Sequence, residues 1–588
     1  MKQFLLTVAG VFAGLVLFFV GIPILVLLIA AGSARPEPPP PRAVLALDLR
    51  RSLSDQDSPN PFAGLGAPSQ SVLSVVQSLH RAQTDSRVRG LLIRLPEGGL
   101  PPASADELRL AVKAFRAAGK PVIAHSQGLY PSGASVSSYM LGAAADQFWM
   151  QPFASLQSVG MASEELFLRR LFDRYGVTAD FERRAEYKNA VNPYLFDDFT
   201  PEHREATLSW MGSIHDSAIA AAAADRGRPP AALKALLEAG PRDAETARAD
   251  GLIDRVGDLR QAQSAILARA GQGARLVDFD DYSPDANTSG PVLAVIRAEG
   301  AIVTGTADNQ SLGQGAAVYS DDVAKAFYDA IEDDAVRAIV FRVSSPGGSD
   351  TASEQIRTAL VAAKAANKPV VVSMGTYAAS GGYWVSTDAS HIVAHPSTLT
   401  GSIGVFGGKF VIGPALQRFG IDMRGVSVGG EYADAFGSEE PFTPAQRASF
   451  SAWMDRIYAN FLTRVATGRE LPPERVQEIA RGRVWTGAQA RSLGLVDEIG
   501  GFYTAVDAAK RLAGIDADQE VRLRVLPARR SPFEMIQQAL GVSAAGVRAL
   551  AAAGWMLGDP RAQSLLDQAA RARLGPQGST VMAPTPFP

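Results

Sequence analysis

The sequence predicts an α/β protein built from two tandem copies of one domain, each around a mostly parallel sheet. Three observations predict it. Short apolar runs alternate with helical patterns, the signature of βαβ units. The pattern occurs twice, and the two occurrences superpose at a near-constant offset. The 588 residues also exceed one ordinary core and suit two domains of roughly 200–250 residues.

The register is read directly from residue numbers. Val44-Leu45-Ala46-Leu47 recurs as Val292-Leu293-Ala294-Val295, and Lys120-Pro121-Val122 as Lys368-Pro369-Val370, both at a shift of 248. The shift becomes 244 where Ser158-Val159-Gly160 pairs with Ser402-Ile403-Gly404, and 243 where Phe199-Thr200-Pro201 pairs with Phe442-Thr443-Pro444. In this register each copy lacks one half of a reactive pair. Ser380, in Ala379-Ser380-Gly381-Gly382-Tyr383-Trp384, faces Val136; Lys188, in Glu186-Tyr187-Lys188-Asn189, faces Ala433. A hydroxyl present only in the second copy and an amine present only in the first suggest one composite site.

Each copy opens on a β-branched or leucine-rich run (Ala43–Leu49; Val292–Ile296), followed by an amphipathic helical stretch (Ser71–Gln83; Asp321–Glu332). A second apolar run (Leu91–Leu95; Ala338–Val343), a helical segment (Ser104–Ala117; Ala352–Ala366) and a third run (Pro121–Ala124; Pro369–Ser373) come next. A long helix is then predicted over Pro201–Arg226 and over Pro444–Gly468. The expected organisation is a lysine-supplying copy at 43–282, a polar, turn-rich link at 283–291, and a serine-supplying copy at 292–514. Beyond Gly514 the repeat ends. Residues 515–588 are read as an extension, with a helical stretch at Pro532–Leu557 packed on the body or a neighbouring subunit, and a Pro-rich tip at Ala583–Pro588.

A formal charge of −3 with 20% charged residues shows no basic bias, which argues against a nucleic-acid partner. The absence of cysteine excludes disulfides and thiolate metal sites. No charge appears between Lys2 and Arg35. As a helix Phe4–Gly32 would run about 43 Å against about 30 Å of hydrocarbon, whereas a cleaved signal peptide has an apolar region of about 7–15 residues. Residues 1–34 are therefore expected to be an uncleaved transmembrane anchor, with cleavage near Ala34 as the alternative. Residues 35–42, Arg-Pro-Glu-Pro-Pro-Pro-Pro-Arg, form a semi-rigid spacer. Lys2 on one side against Arg35 and Arg42 on the other leaves the orientation open.

Ser380 lies in a small-residue turn beyond a predicted buried strand. Small neighbours let a substrate backbone approach, and the following amide can face a developing oxyanion. A close-packed turn before a helix would explain the same residues. Thr400-Gly401-Ser402-Ile403-Gly404 is a second tight turn, and Ser344-Ser345-Pro346-Gly347-Gly348-Ser349 closes the strand Ala338–Val343, where glycines can present free amides. By residue type alone Lys188 is an exposed lysine. As a base it must be neutral, and at a pKa of about 10.4 only about one lysine in 2,500 is neutral at pH 7. Burial in a dry cleft would lower that pKa, and Glu186, which would raise it, is expected to point away. A Ser-His-Asp triad is the competing arrangement: of the six histidines only His391 and His395 lie near Ser380 in sequence. Gly425-Val426-Ser427-Val428-Gly429 matches G-x-S-x-G, but no helix signal follows it. No H-E-x-x-H or P-loop is present, and no dinucleotide fingerprint in a strand–helix setting.

Ser345-Pro346-Gly347-Gly348, Ala379–Trp384, Thr400–Gly404 and Tyr187-Lys188-Asn189-Ala190 together resemble the long, tandem-duplicated form of signal peptide peptidase A (protease IV), a family of membrane-anchored bacterial serine proteases. The likeness runs from the apolar N-terminus to about Gly514. It implies a Clp protease/crotonase-like fold in each copy, with Ser380 as nucleophile, Lys188 as general base and Ser402 orienting the lysine. The amides of Gly381 and of Gly347-Gly348 would form the oxyanion hole. It also implies an acyl-enzyme, remnants of cleaved signal peptides as substrates, and no metal or other cofactor. The expected assembly is a homotetramer, anchored by a single span in the bacterial inner membrane with its catalytic body on the periplasmic side. Two other readings stay open: a crotonase-like acyl-CoA enzyme holding a thioester enolate with paired loop amides, and a catalytically inactive membrane scaffold.

Overall fold

The computed structural model describes residues 41–51, 53–56, 71–284, 289–307, 317–527 and 580–582. The expected anchor, most of the spacer, the stretch Pro532–Leu557 and the tip Ala583–Pro588 lie outside the described residues. Among those described, no helix is long and apolar enough to cross a membrane.

The sheet of the first copy has six strands, in the order Arg255–Val256, Gln147–Met150, Val122–Ser126, Val88–Arg94, Ala43–Asp48 and Arg275–Asp278, all parallel. The second copy retraces this path with Glu498–Ile499, His391–Ala394, Val370–Ala379, Val336–Ser345, Val292–Glu299 and Arg522–Leu526, again all parallel. Parallel strands covered on both faces are apolar on both sides, so Leu91-Leu92-Ile93 and Ile339-Val340-Phe341 read as continuous hydrophobic runs. The last strand corrects the expected boundary. Arg522–Leu526 pairs with Val292–Glu299 as Arg275–Asp278 pairs with Ala43–Asp48, so the repeat continues past Gly514. An edge strand that is only half-buried and carries Arg522 and Arg524 shows no apolar run by which to recognise it.

Two departures from the shared plan build the site. The strand Val370–Ala379 has ten residues where Val122–Ser126 has five. Its extra length pairs with Leu399–Gly401, which pairs antiparallel with Val484–Thr486. The second departure is a sheet to which both copies contribute. Thr178–Arg183 of the first copy runs antiparallel to Phe406–Val411 of the second, and the sheet continues through Thr580–Met582 to Gly347–Ser349, Ala301–Val303 and Ala317–Tyr319. The chain leaving Arg183 is thereby delivered to the second copy.

The repeated Phe-Thr-Pro is a helix start. Thr200 and Thr443 accept the amides of His203 and Gln446, and a proline follows at the first helical position of two 25-residue helices, Pro201–Asp225 and Pro444–Gly468. The first of these packs across the copy boundary: Trp210, Met211 and Ile214 form one buried cluster with Ala379, Leu399 and Val484. The wall behind the end of the second copy's central strand is therefore supplied by the first copy.

Candidate active site

Ser380 is the hinge between the strand Val370–Ala379 and the short helix Gly381–Trp384, with φ 57° and ψ −116°. A non-glycine residue held there stores on the order of 1–3 kcal/mol and persists only where its surroundings fix it. They do so here: the Ser380 amide donates to Gly401 O at 2.8 Å, and its carbonyl accepts the amides of Tyr383 and Trp384. Gly381 and Gly382 follow because there is no room for a side chain. A Cβ on Gly381 would lie 3.0 Å from Gly348 N, and one on Gly382 2.5 Å from Ser345 O.

Lys188 comes from the other copy and is fully buried. Its Nζ lies 2.6 Å from Ser380 Oγ, 3.0 Å from Ser402 Oγ and 3.0 Å from Ser402 O. The loop that carries it is tied to the second copy by backbone bonds, Arg184 N to Val405 O at 2.8 Å and Tyr187 N to Arg481 O at 3.2 Å. Within the loop, Arg183 Nη1 donates to Glu186 O at 2.9 Å. Burial holds the Lys188 ammonium well below the ordinary lysine range. Glu186 does not oppose this: its carboxylate pairs with Arg481.

Ser402, like Ser380, has a positive φ (49°), and its amide donates to Arg483 O at 2.7 Å. The glycine loop Gly347-Gly348 packs against Gly381; Gly347 has φ 110° and donates its amide to Ser345 Oγ at 3.1 Å. The structure thus gathers Ser380, Lys188, Ser402, Gly381, Gly347 and Gly348 into one place. It does not bring the histidines there: His391 pairs with Glu498, and His395 with Asp106 and Glu107. Val426 and Val428 of the G-x-S-x-G segment are fully exposed, in a stretch with no helix after the serine.

Sequence reasoning missed Gly482. With φ 76° it lies so close to the lysine that a Cβ there would sit 2.6 Å from Lys188 Cβ. Gly404 makes a similar approach, 3.2 Å from Lys188 Cδ. An isolated glycine among fifty-five carries no signal of such a contact.

The edge beside the serine is occupied by an extended segment of the same chain. Thr580–Met582 pairs antiparallel with Gly347–Ser349 and, at Thr580, with Phe406 of the neighbouring strand.

Comparison with known proteins shows the family. Peptidase family S49 matches twice, at residues 114–272 and 362–516, one match in each copy. Protease 4 of Salmonella typhi is 35% identical over 80% of this chain and 78% of its own length. Protease 4 of Haemophilus influenzae is 32% identical over 87% of this chain and 85% of its own. A chloroplastic serine protease SPPA of Arabidopsis thaliana is 27% identical over 86% of this chain and 74% of its own. The protein is a serine protease of mixed α/β architecture. The chain belongs to peptidase family S49, in the branch of signal peptide peptidase A and protease IV.

Proposed function

We propose that this chain is a membrane-anchored endopeptidase that cleaves extended, hydrophobic or unfolded peptides, cleaved signal peptides among them, with a Ser380–Lys188 dyad. The observation that carries the reading is the 2.6 Å separation of Nζ and Oγ in a fully buried setting. A neutral lysine has two N–H groups and one lone pair. Ser402 O and Ser402 Oγ are placed to accept the two N–H groups, which turns the lone pair to the Ser380 hydroxyl. Lys188 then takes the hydroxyl proton as Oγ attacks the peptide carbonyl, and returns it to the leaving amine. The amides of Gly381 and Gly348 receive the oxyanion, with Gly347 shaping the turn. Water, activated by the same amine, releases the acyl group.

The paired strand Thr580–Met582 supports an extended peptide as substrate, because the Gly347–Ser349 edge already accepts a β-strand by main-chain pairing. Anchorage by residues 1–34 in the bacterial inner membrane, with the body on the periplasmic side, rests on the apolar N-terminus and the family. A Clp protease/crotonase-like fold for each copy rests on the family and on the repeated parallel sheet. Assembly with further copies is supported by an exposed apolar face where the helix Arg169–Tyr175 meets the segment 413–421, with Leu171, Tyr175, Phe419 and Ile421 in solvent, and the number four rests on the family.

A fluorophosphonate probe on the full-length chain, located by mass spectrometry, should label Ser380. Ser380→Ala should abolish labelling and peptide-ester turnover, and Lys188→Ala should lower turnover by roughly 10³-fold or more. Labelling at a different serine, or full activity in Lys188→Ala, overturns the proposal.

A further inference from the structure

Away from the dyad, the copies meet in a buried ionic cluster in which carboxylates of the first copy hold two cations of the second, Arg342 and His395. Arg342, 1% exposed at its side chain, donates to Asp55 through Nε (3.0 Å) and Nη2 (2.6 Å), and through Nη1 to Glu107 (2.9 Å) and Ser373 Oγ (2.9 Å). His395, fully buried, lies with Nδ1 3.0 Å from Asp106 and Nε2 2.8 Å from Glu107. The second oxygen of Glu107 accepts the amide of Phe502 at 2.8 Å. Arg109 closes the outer side, bonded to Asp106 at 3.1 Å.

Cohesion alone does not account for this cluster. Each buried ion forfeits several kcal/mol of hydration, and apolar residues of the same volume would join two domains at least as well. What charged, directional bonds add is register. The repeat makes the contrast visible: the first copy's counterpart of Arg342 is Arg94, which remains partly exposed in an ion pair with Asp48 of its own copy.

The cluster grips the parts of the second copy that lead to Ser345, Ser380 and Ser402. Arg342 stands three residues before Ser345, whose hydroxyl holds the Gly347 amide. Ser373 lies on the strand that ends at Ser380, and Asp55 packs against Gly375 of that strand, where a Cβ would come 2.7 Å from its Oδ1. His395 opens the segment that leads to Ser402. Its amide donates to Thr398 Oγ1, Thr398 donates to Gly375 O, and Thr400 Oγ1 donates to Ala378 O.

We propose that Asp55, Asp106 and Glu107 are positioning residues for proteolysis: through Arg342 and His395 they set the register of the two copies, and with it the approach of Lys188 to Ser380. The inference rests on the dyad reading. Displacement of reacting groups by about 1 Å can cost on the order of 100-fold in rate.

The test uses the full-length chain. Glu107→Gln keeps the shape and removes the charge shared by Arg342 and His395. Asp106→Asn is the gentler variant, since it leaves the Glu107 bonds in place. For both, kcat per folded site should fall at least about tenfold with KM within about twofold, and the fluorophosphonate labelling rate should fall in parallel. A lower Tm with wild-type kcat per folded site would overturn the proposal and leave the cluster as cement. Ser380→Ala in the same assay separates the two readings. If it is inactive while both cluster variants keep wild-type kcat, only the positioning role fails; if it still turns over, the dyad itself fails.

Discussion

A primary amine is a poor base at neutral pH because water stabilises its ammonium. On the proposed reading Lys188 avoids this by total burial, with Ser380 and Ser402 at its tip and Glu186 turned to Arg481. The same burial has a cost in stability. Folded, the group sits well below its ordinary pKa, so over the range between the two values the unfolded chain binds a proton that the folded chain does not. The penalty shrinks as pH rises toward the ordinary lysine range. Lys188→Met is therefore expected to be inactive yet more thermostable at pH 7, by roughly 2–4 °C for each kcal/mol recovered, with the gain fading at high pH. Differential scanning fluorimetry against pH checks this. A Tm equal to or below wild type at pH 7 would contradict it. Activity of the wild type should rise with pH along a limb lying well below the ordinary lysine range.

Single elements show what a sequence can and cannot announce. The long helices were legible because a capping threonine and a proline at the first turn are local signals, and Thr200 and Thr443 hold the helix amides as such signals require. The edge strand Arg522–Leu526 was not legible, because it is half-buried and charged. The helix Arg169–Tyr175 buries none of its residues within one chain, which fits a surface covered by another copy. Leu171→Asp with Phe419→Asp should shift the assembly toward monomers in size-exclusion chromatography with light scattering, with the helical content unchanged. A single species of unaltered mass would place the oligomer contact elsewhere.

At the scale of the whole molecule, the ionic cluster makes stability depend on pH in a defined direction. Burial opposes charge on His395, but Glu107 and Asp106 outweigh it and push the imidazole up to about 9. Its contribution is complete below the unfolded value of about 6.5 and is lost as pH rises through about 9. Glu107 is buried too, yet His395 and Arg342 pull it down to about 2, so its contribution holds above the ordinary carboxylate range and is lost only in strong acid. Glu299 is pushed up to about 7 by burial and by Asp55, so the stability it adds by holding its proton is lost between the ordinary carboxylate range and about pH 7, below the His395 limb. Relative to wild type, His395→Gln should lower Tm most at pH 6, with the deficit shrinking between pH 7 and 9, where the loss at His395 runs against the relief at Lys188. An unchanged slope would remove His395 from the account.

The sequence by itself determined the duplication, the α/β class, the helix starts and the complementary loss of a hydroxyl and an amine, because offset, periodicity and capping are written locally. It also singled out Ser380 and Lys188 as a pair, to which the family resemblance added Ser402 and the glycine turns. Only the tertiary structure decided that the two halves meet. That depends on Thr178–Arg183 pairing with Phe406–Val411 across the copy boundary, on Gly482 yielding space to Lys188, and on Arg342 and His395 finding carboxylates in the other copy. Contacts between residues two to three hundred positions apart leave no periodic trace in either segment, so no local pattern could have announced them.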